Sequence, residues 1–254
     1  GNPNFQETAK LAFSESSSFS IRSAALASDI YELSPLPDTE QEIKASALNF
    51  QNGSKLTLLK EKATELNFRM IDLEKFDILH FATHGLVSGE FNSSNLKLPS
   101  LALGLEPKSK SSLTDGLLTS TEIAELQLNG QVVILSACRT FSDEGAYNPG
   151  FTGLTASFLF AGAKSILATQ WQIESKSSAK FVSDLIRSVK ADGKELAAAI
   201  REQSRNFATT QQYSHPFYWA PFVGVTSIRH QDMLETKKER VNVISYLNSN
   251  GKIE

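Results

Sequence analysis

Residues 131–138 read Gln-Val-Val-Ile-Leu-Ser-Ala-Cys, and residues 77–84 read Asp-Ile-Leu-His-Phe-Ala-Thr-His. Both runs are mostly apolar; Gly130 precedes the first and Gly85 follows the second. Such runs are typical of strands that are buried on both faces of a parallel sheet. A third run, Ser-Ile-Leu-Ala-Thr-Gln-Trp, occupies residues 165–171. Together the three runs predict the centre of the fold.

Helical patterns lie before, between and after these strands. We expect helices at 40 to about 50, within 60–70, and at 120–127, 153–162, 181–193 and 194–207. Asp38 or Thr39 is expected to cap the first of them, with Glu42 completing a capping box. Strands that alternate with helices imply right-handed crossovers. The predicted class is therefore α/β, with a parallel-rich central sheet and helices on both faces.

Two further strand signals complete the predicted topology. Short apolar segments at 96–105 and 113–118 predict a β-hairpin insertion. A late strand is expected within 218–225, and Pro221 restricts that strand to a sheet edge or a bulge. We divide the chain into an irregular segment at 1–34, a folded domain at 35–228 and a charged tail at 229–254.

Composition excludes several classes of protein. The 254 residues are 41% hydrophobic and 21% charged, which describes a globular chain rather than a disordered or fibrous one. The net charge of −3 argues against the basic footprint of a nucleic-acid-binding domain. Apolar runs are too short to cross a membrane. A single cysteine, Cys138, fits a reducing compartment, and we expect a cytoplasmic location.

His84 and Cys138 each stand at the carboxyl end of a predicted buried strand. Sites of parallel sheets lie at that edge, so neighbouring strands would bring the imidazole and the thiol to one rim. An imidazole favours the thiolate and can protonate a leaving amine. We expect the backbone amides of Gly85 and Cys138 to form an oxyanion hole. His80, inside its strand, is better interpreted as a hydrogen-bonded core histidine.

These motifs resemble the signature strands of CHAT domains, bacterial relatives of caspases and separases. The resemblance rests on Phe-Ala-Thr-His-Gly at 81–85 and Val-Ile-Leu-Ser-Ala-Cys-Arg-Thr at 133–140. The histidine and cysteine are 54 positions apart, close to the roughly 50 of caspases. Further landmarks follow in the family's order over about 35–226: Leu36-Pro37, Asp115-Gly116, Ala161-Gly162-Ala163, Gln170-Trp171 and His215-Pro216.

The resemblance implies a caspase-like fold and a cysteine endopeptidase with His84 and Cys138 as its dyad. It implies no cofactor, no metal and no essential third carboxylate. The substrate would be a protein or peptide, and activation would come from a tetratricopeptide-repeat module, another sensor module or a regulatory partner. Neither nucleic acid nor a membrane is expected as a direct partner. In relatives a core strand stands just before the Gly-Asn-Pro element found here at 1–3.

The chain also departs from the family pattern. Several arginine-specific relatives carry Asp two residues before the cysteine, where this chain has Ser136. Basic specificity is therefore not readable from that position. Candidate substrate-binding residues are Asp143, Glu144, Trp171 and Glu174.

Two rival functions are weighed against the peptidase. A catalytically silent interaction module could keep the same fold to bind a partner. A nucleotide-binding doubly wound domain is disfavoured, because no glycine-rich phosphate loop follows a strand. A metal site is disfavoured as well, because no ligand spacing supports the two strand histidines.

Overall fold

The central element is a sheet of four described strands, which lie side by side in the order in which they occur along the chain. The structure is a computed structural model, and it describes residue 3, residue 30 and residues 32–51, 54–86, 98–104, 114–136, 153–171 and 174–227. The four strands are β1 (Ile78–Phe81), β5 (Val132–Leu135), β6 (Ser165–Thr169) and β7 (Phe222–Thr226). The predicted charged tail at 229–254 and most of the predicted irregular segment at 1–34 lie outside the described residues.

The first three of these strands are parallel, as the apolar runs predicted. Ile78 pairs with Val132 and Phe81 with Leu135, and β5 continues the pairing to β6. All five residues of β6 are buried, which explains why its sequence is almost continuously apolar rather than alternating. The α/β class with a mostly parallel sheet is confirmed.

Strand β7 is antiparallel to β6 and is the last strand in the described order. Pro221 stands immediately before it, where a missing N–H removes no bond of the ladder. Its carbonyl still accepts the Gln170 N–H at 3.0 Å. The predicted late strand is confirmed at the edge.

Helices cover both faces of this sheet. The described helices are α1 (Pro37–Ala47), α2 (Glu65–Arg69), α3 (Ser120–Ala124), α4 (Leu154–Phe160), α5 (Ser175–Lys190) and α6 (Leu196–Thr209). One apolar cluster joins α2, α3 and α4 to one face through residues such as Phe68, Ile123 and Phe158. Another joins α5 and α6 to the opposite face, where Phe181 stacks on Phe222 with ring centroids 3.8 Å apart. Each fully buried side chain of this size stabilises the fold by about 2 kcal/mol.

The predicted hairpin insertion forms a small sheet of its own. Strands β2 (Gly85–Leu86), β3 (Ser100–Ala102) and β4 (Leu117–Thr119) pair antiparallel in that order. Strand β2 follows β1 along the chain, so the main sheet passes directly into the small one. The Thr119 side chain then caps α3 in a full capping box with Glu122.

Helix α1 begins earlier than predicted, and its expected side-chain cap is absent. Leu36 is the N-cap residue and Pro37 takes the first helical position, where a proline loses no hydrogen bond. The Thr39 hydroxyl donates back to the Leu36 carbonyl at 2.7 Å instead of capping. Among the described residues, no helix has both the length and the apolar character needed to span a membrane.

Candidate functional site

The candidate site lies at the carboxyl ends of β1, β5 and β6. Pairing between β1 and β5 extends to the Ser136 N–H, which donates to the Phe81 carbonyl at 2.9 Å. His84 follows β1 by three residues, and Trp171 follows β6 by two. Because the three strands are parallel neighbours, their following residues emerge at one edge of the sheet. The structure therefore brings His84, Ser136 and Trp171 to that edge.

The imidazole of His84 is half-buried and makes a directed hydrogen bond. Its Nε2 lies 2.8 Å from the carbonyl oxygen of Ser34. A carbonyl only accepts hydrogen bonds, so Nε2 carries the proton in this arrangement. In the neutral ring the lone pair is then on Nδ1, which is the nitrogen able to accept a proton from a thiol.

Gly85 begins β2 and faces Leu101 across the small sheet. The neighbouring ladder bond runs from the Ala102 N–H to the His84 carbonyl at 2.9 Å. Gly85 and Leu101 are consequently a non-hydrogen-bonded pair, and the alternation of an antiparallel ladder directs the Gly85 N–H away from β3. The Gly85 N–H therefore takes no part in the hydrogen bonds between β2 and β3.

Trp171 and Glu174 have different environments. The side chain of Trp171 is 37% exposed. Glu174 is the N-cap residue of α5, and its Oε2 accepts the Ser177 N–H at 2.8 Å. Burial opposes ionisation of Glu174, but hydrogen bonds from Ser177 outweigh it and hold the pKa of this carboxyl below its usual value. Its carboxylate is thus already engaged in the helix cap.

Three predicted site residues lie outside the described part of the chain: Cys138, Asp143 and Glu144. Ser136, the last described residue before the cysteine, has a buried Oγ with no hydrogen-bond partner among the described residues.

His80 is the core histidine that the sequence indicated. Its side chain is only 9% exposed, and Nε2 lies 2.8 Å from Glu42 Oε1. The second carboxylate oxygen of Glu42 accepts from Ser178 Oγ at 3.3 Å. Sequence analysis missed this partner because Glu42 was assigned to a helix cap. Glu42 lies opposite His80 only because of the way α1 packs on the sheet, which a local sequence pattern does not encode.

Ser34 is the other partner that sequence reasoning missed. Nothing in the sequence Ser-Pro-Leu-Pro at 34–37 indicates which of its atoms would reach which side chain. The contact joins residues 50 positions apart. Only the docking of the turn against the strand end creates it.

A cavity of about 450 Å³ lies along β1, on the side away from β5. Its lining includes Ile43, Phe68, Leu79 and His80, and it includes neither His84 nor Gly85. The lining also includes Thr83, the residue immediately before His84. Among the described residues, no three His, Cys, Asp or Glu side chains gather as a metal site would require.

Comparison with known proteins assigns the family. The sequence model of the CHAT domain matches residues 1–227. Tetratricopeptide repeat protein 28 of Homo sapiens is 30% identical over 115 residues, which are 45% of this chain and 5% of the human protein. The protein of the same name from Mus musculus is 29% identical over 115 residues, with the same shares. This chain therefore corresponds to a small part of its curated relatives. Since the family match covers most of its length, the chain belongs to the CHAT domain family, which is related to the caspase-like peptidases.

Proposed function

We propose that this protein is a cysteine endopeptidase that cleaves a polypeptide through Cys138 and His84. The observation that carries the proposal is the register of the two central strands. Phe81 is level with Leu135, and each candidate residue follows its member of that pair by three positions. Because Cys138 and His84 lie the same number of residues beyond paired positions on adjacent parallel strands, this register favours contact between the thiol and the imidazole.

The proposed reaction needs no cofactor. The Cys138 thiolate attacks the scissile carbonyl carbon, and His84 donates its proton to the leaving amine as the C–N bond breaks. Water then attacks the acyl-enzyme while His84 takes one of the water's protons. That step releases the carboxylic acid and restores the thiol. The hydrogen bond from His84 Nε2 to Ser34 supports this role, because with the proton on Nε2 the neutral ring carries its lone pair on Nδ1.

The negative charge on the substrate oxygen would be held by the amides of Gly85 and Cys138. The outward direction of the Gly85 N–H supports the first of these donors. One such donor typically contributes about 3 kcal/mol of transition-state stabilisation. Trp171, Asp143 and Glu144 remain our candidates for substrate binding. Glu174 stays a weaker candidate, because its carboxylate already caps α5.

The curated relatives are named for tetratricopeptide repeats, and their length far exceeds the matched region. That supports our proposal that such a module, or another sensor module, controls the peptidase. We further propose that the protein acts in the cytoplasm, where a thiol nucleophile stays reduced.

The test is a peptide-library digestion analysed by mass spectrometry, with wild type and the variants Cys138→Ala and His84→Ala. We expect cleavage by the wild type alone. His215→Ala is the matched control, because the ring of His215 accepts the Phe217 N–H at 3.1 Å and has no part in the proposed site. Equal cleavage by wild type and Cys138→Ala would refute the assignment. Absence of cleavage, with Cys138 inert toward thiol-directed peptide analogues, would indicate a silent interaction module instead.

A further inference from the structure

The chain passes from the main sheet to the small sheet through Thr83, and this residue is held by more than packing. Thr83 is only 3% exposed. Its hydroxyl donates to the carbonyl oxygen of Ala102 at 2.5 Å. A buried threonine in this turn therefore has a specific partner on β3.

Ala102 contacts the next residue of the turn as well. Its N–H donates to the His84 carbonyl at 2.9 Å. One residue of β3 thus accepts from the side chain of Thr83 and donates to the backbone of His84. The first bond holds the Thr83 side chain, and the second holds the carbonyl of the peptide unit that joins His84 to Gly85.

The residue that holds the turn is itself firmly placed. Ala102 is fully buried, and on its other side it pairs with Leu117 of β4. The Thr83 side chain and the His84–Gly85 peptide are therefore both tied to the middle strand of the small sheet. At the other end of the His84 side chain, Nε2 is held by the Ser34 carbonyl. His84 is consequently held at its backbone carbonyl by Ala102 and at Nε2 of its ring by Ser34.

From this arrangement we infer that Thr83 is a positioning residue: its hydroxyl, bonded to Ala102, aims the His84 imidazole and the Gly85 amide at the reaction centre. The inference deepens the proposed function and rests on it for its catalytic meaning. The Thr83 hydroxyl already donates its hydrogen to the Ala102 carbonyl oxygen. Its effect comes through orientation, and misplacement of a catalytic group by about 1 Å can lower a rate by up to about 100-fold.

The experiment compares Thr83→Val and Thr83→Ala, which remove the hydroxyl, with Thr83→Ser, which keeps it. Thr64→Val is the matched control, since Thr64 is an equally buried threonine whose hydroxyl accepts the Asn67 N–H as the N-cap of α2. One readout is the NMR signal of the His84 Nε2–H, assigned with His84→Gln. The other is the pH dependence of Cys138 alkylation by iodoacetamide, which is specific because the chain has one cysteine.

We expect the folded wild type to show a protected Nε2–H and rapid alkylation below the usual thiol pKa. Thr83→Val and Thr83→Ala should lose the protected signal and about 10-fold of the alkylation rate near pH 6.5, because the imidazole no longer faces the thiol in one orientation. Thr83→Ser should stay within about 2-fold of the wild type, as the retained hydroxyl predicts. Thr64→Val should change neither readout.

The two readouts separate the inference from the proposed function. A protected Nε2–H that survives in Thr83→Ala, or equal changes in Thr64→Val, would overturn the positioning role. If the signal is lost in Thr83→Ala but wild-type Cys138 reacts like an ordinary thiol, the peptidase assignment fails while the positioning of His84 stands. Thr83→Ala keeps the test decisive if the valine variant does not fold.

Discussion

The carbonyl oxygen of Ser34 lies 2.8 Å from Nε2 of His84, so a backbone group holds one nitrogen of the candidate imidazole. A neutral carbonyl fixes the tautomer of the ring without adding a negative charge beside it.

The tautomer of His84 is the first prediction. Neutral His84 should carry its proton on Nε2, because the Ser34 carbonyl can only accept it. Nitrogen-15 NMR of the ring distinguishes the two tautomers, and the His84→Gln variant assigns the signal. Observation of an Nδ1–H tautomer in the wild type would contradict the structure at this contact.

Stability should depend on pH through Glu65. This carboxyl is buried, receives the Gly116 N–H at 3.0 Å and pairs with Arg69 at 2.7 Å. Burial nevertheless raises its pKa from 4.5 to about 7. Between those values the folded protein binds more protons than the unfolded chain, so stability is greatest at the acidic end and falls as pH rises.

We expect the free energy of unfolding to fall by roughly 2 kcal/mol from about pH 5 to about pH 8 on account of this group. Urea unfolding across that range measures the change. Glu65→Gln should flatten the dependence while still accepting the Gly116 N–H. Glu195→Gln, at a largely exposed carboxylate, should leave it unaltered. A steeper rise of stability with pH in the wild type than in Glu65→Gln would reverse the sign and refute the prediction.

The buried pair of Glu42 and His80 should contribute to stability. Removing the carboxylate in Glu42→Ala leaves His80 Nε2 without its partner at 2.8 Å in a site that is only 9% exposed. We expect a loss of about 2 to 3 kcal/mol in chemical unfolding, from the broken bond and the vacated volume. Ser178→Ala removes only a 3.3 Å hydrogen bond to the same carboxylate and should cost less than about 1 kcal/mol. Equal losses in the two variants would show that packing, not the pair, matters here.

Gly162 should be irreplaceable at the turn before β6. Its φ is 109°, and an added Cβ would stand 2.1 Å from the Leu128 carbonyl oxygen. Gly193 offers a matched control, because its φ is also positive at 63° but an added Cβ meets nothing within 4 Å. Gly193→Ala should cost about 1 kcal/mol from backbone strain alone, whereas Gly162→Ala should cost more than about 3 kcal/mol or prevent folding. Thermal unfolding measures both, and similar values for the two would contradict the clash.

The strands of the main sheet were predictable because their signal is local. Runs such as 131–138 are mostly apolar at successive positions, a pattern typical of strands in a sheet that is covered on both faces. Pro221 predicted an edge or a bulge for the late strand, and β7 is the last of the described strands in its sheet. The start of α1 was not predicted correctly. Pro37 occupies the first helical position and determines where the helix begins, rather than the polar residues that follow it.

The candidate site divides in the same way. His84 could be selected from its place at a strand exit before glycine, which is information carried by neighbouring residues. Its supports could not: Ser34 reaches it across 50 positions and Ala102 holds Thr83 across 19. Such contacts depend on how separate elements dock, and many residue types offer the same backbone carbonyl.

By itself, then, the amino-acid order determined the α/β class and the buried strands and selected His84 as the candidate imidazole, since periodicity and burial act within a few residues of chain. Tertiary structure alone decided that Phe81 lies level with Leu135, that Glu42 meets His80 and that a carbonyl orients His84. The physical reason is that register and hydrogen-bond partners between distant segments follow from the packing of the whole sheet and its helices, which no local pattern encodes.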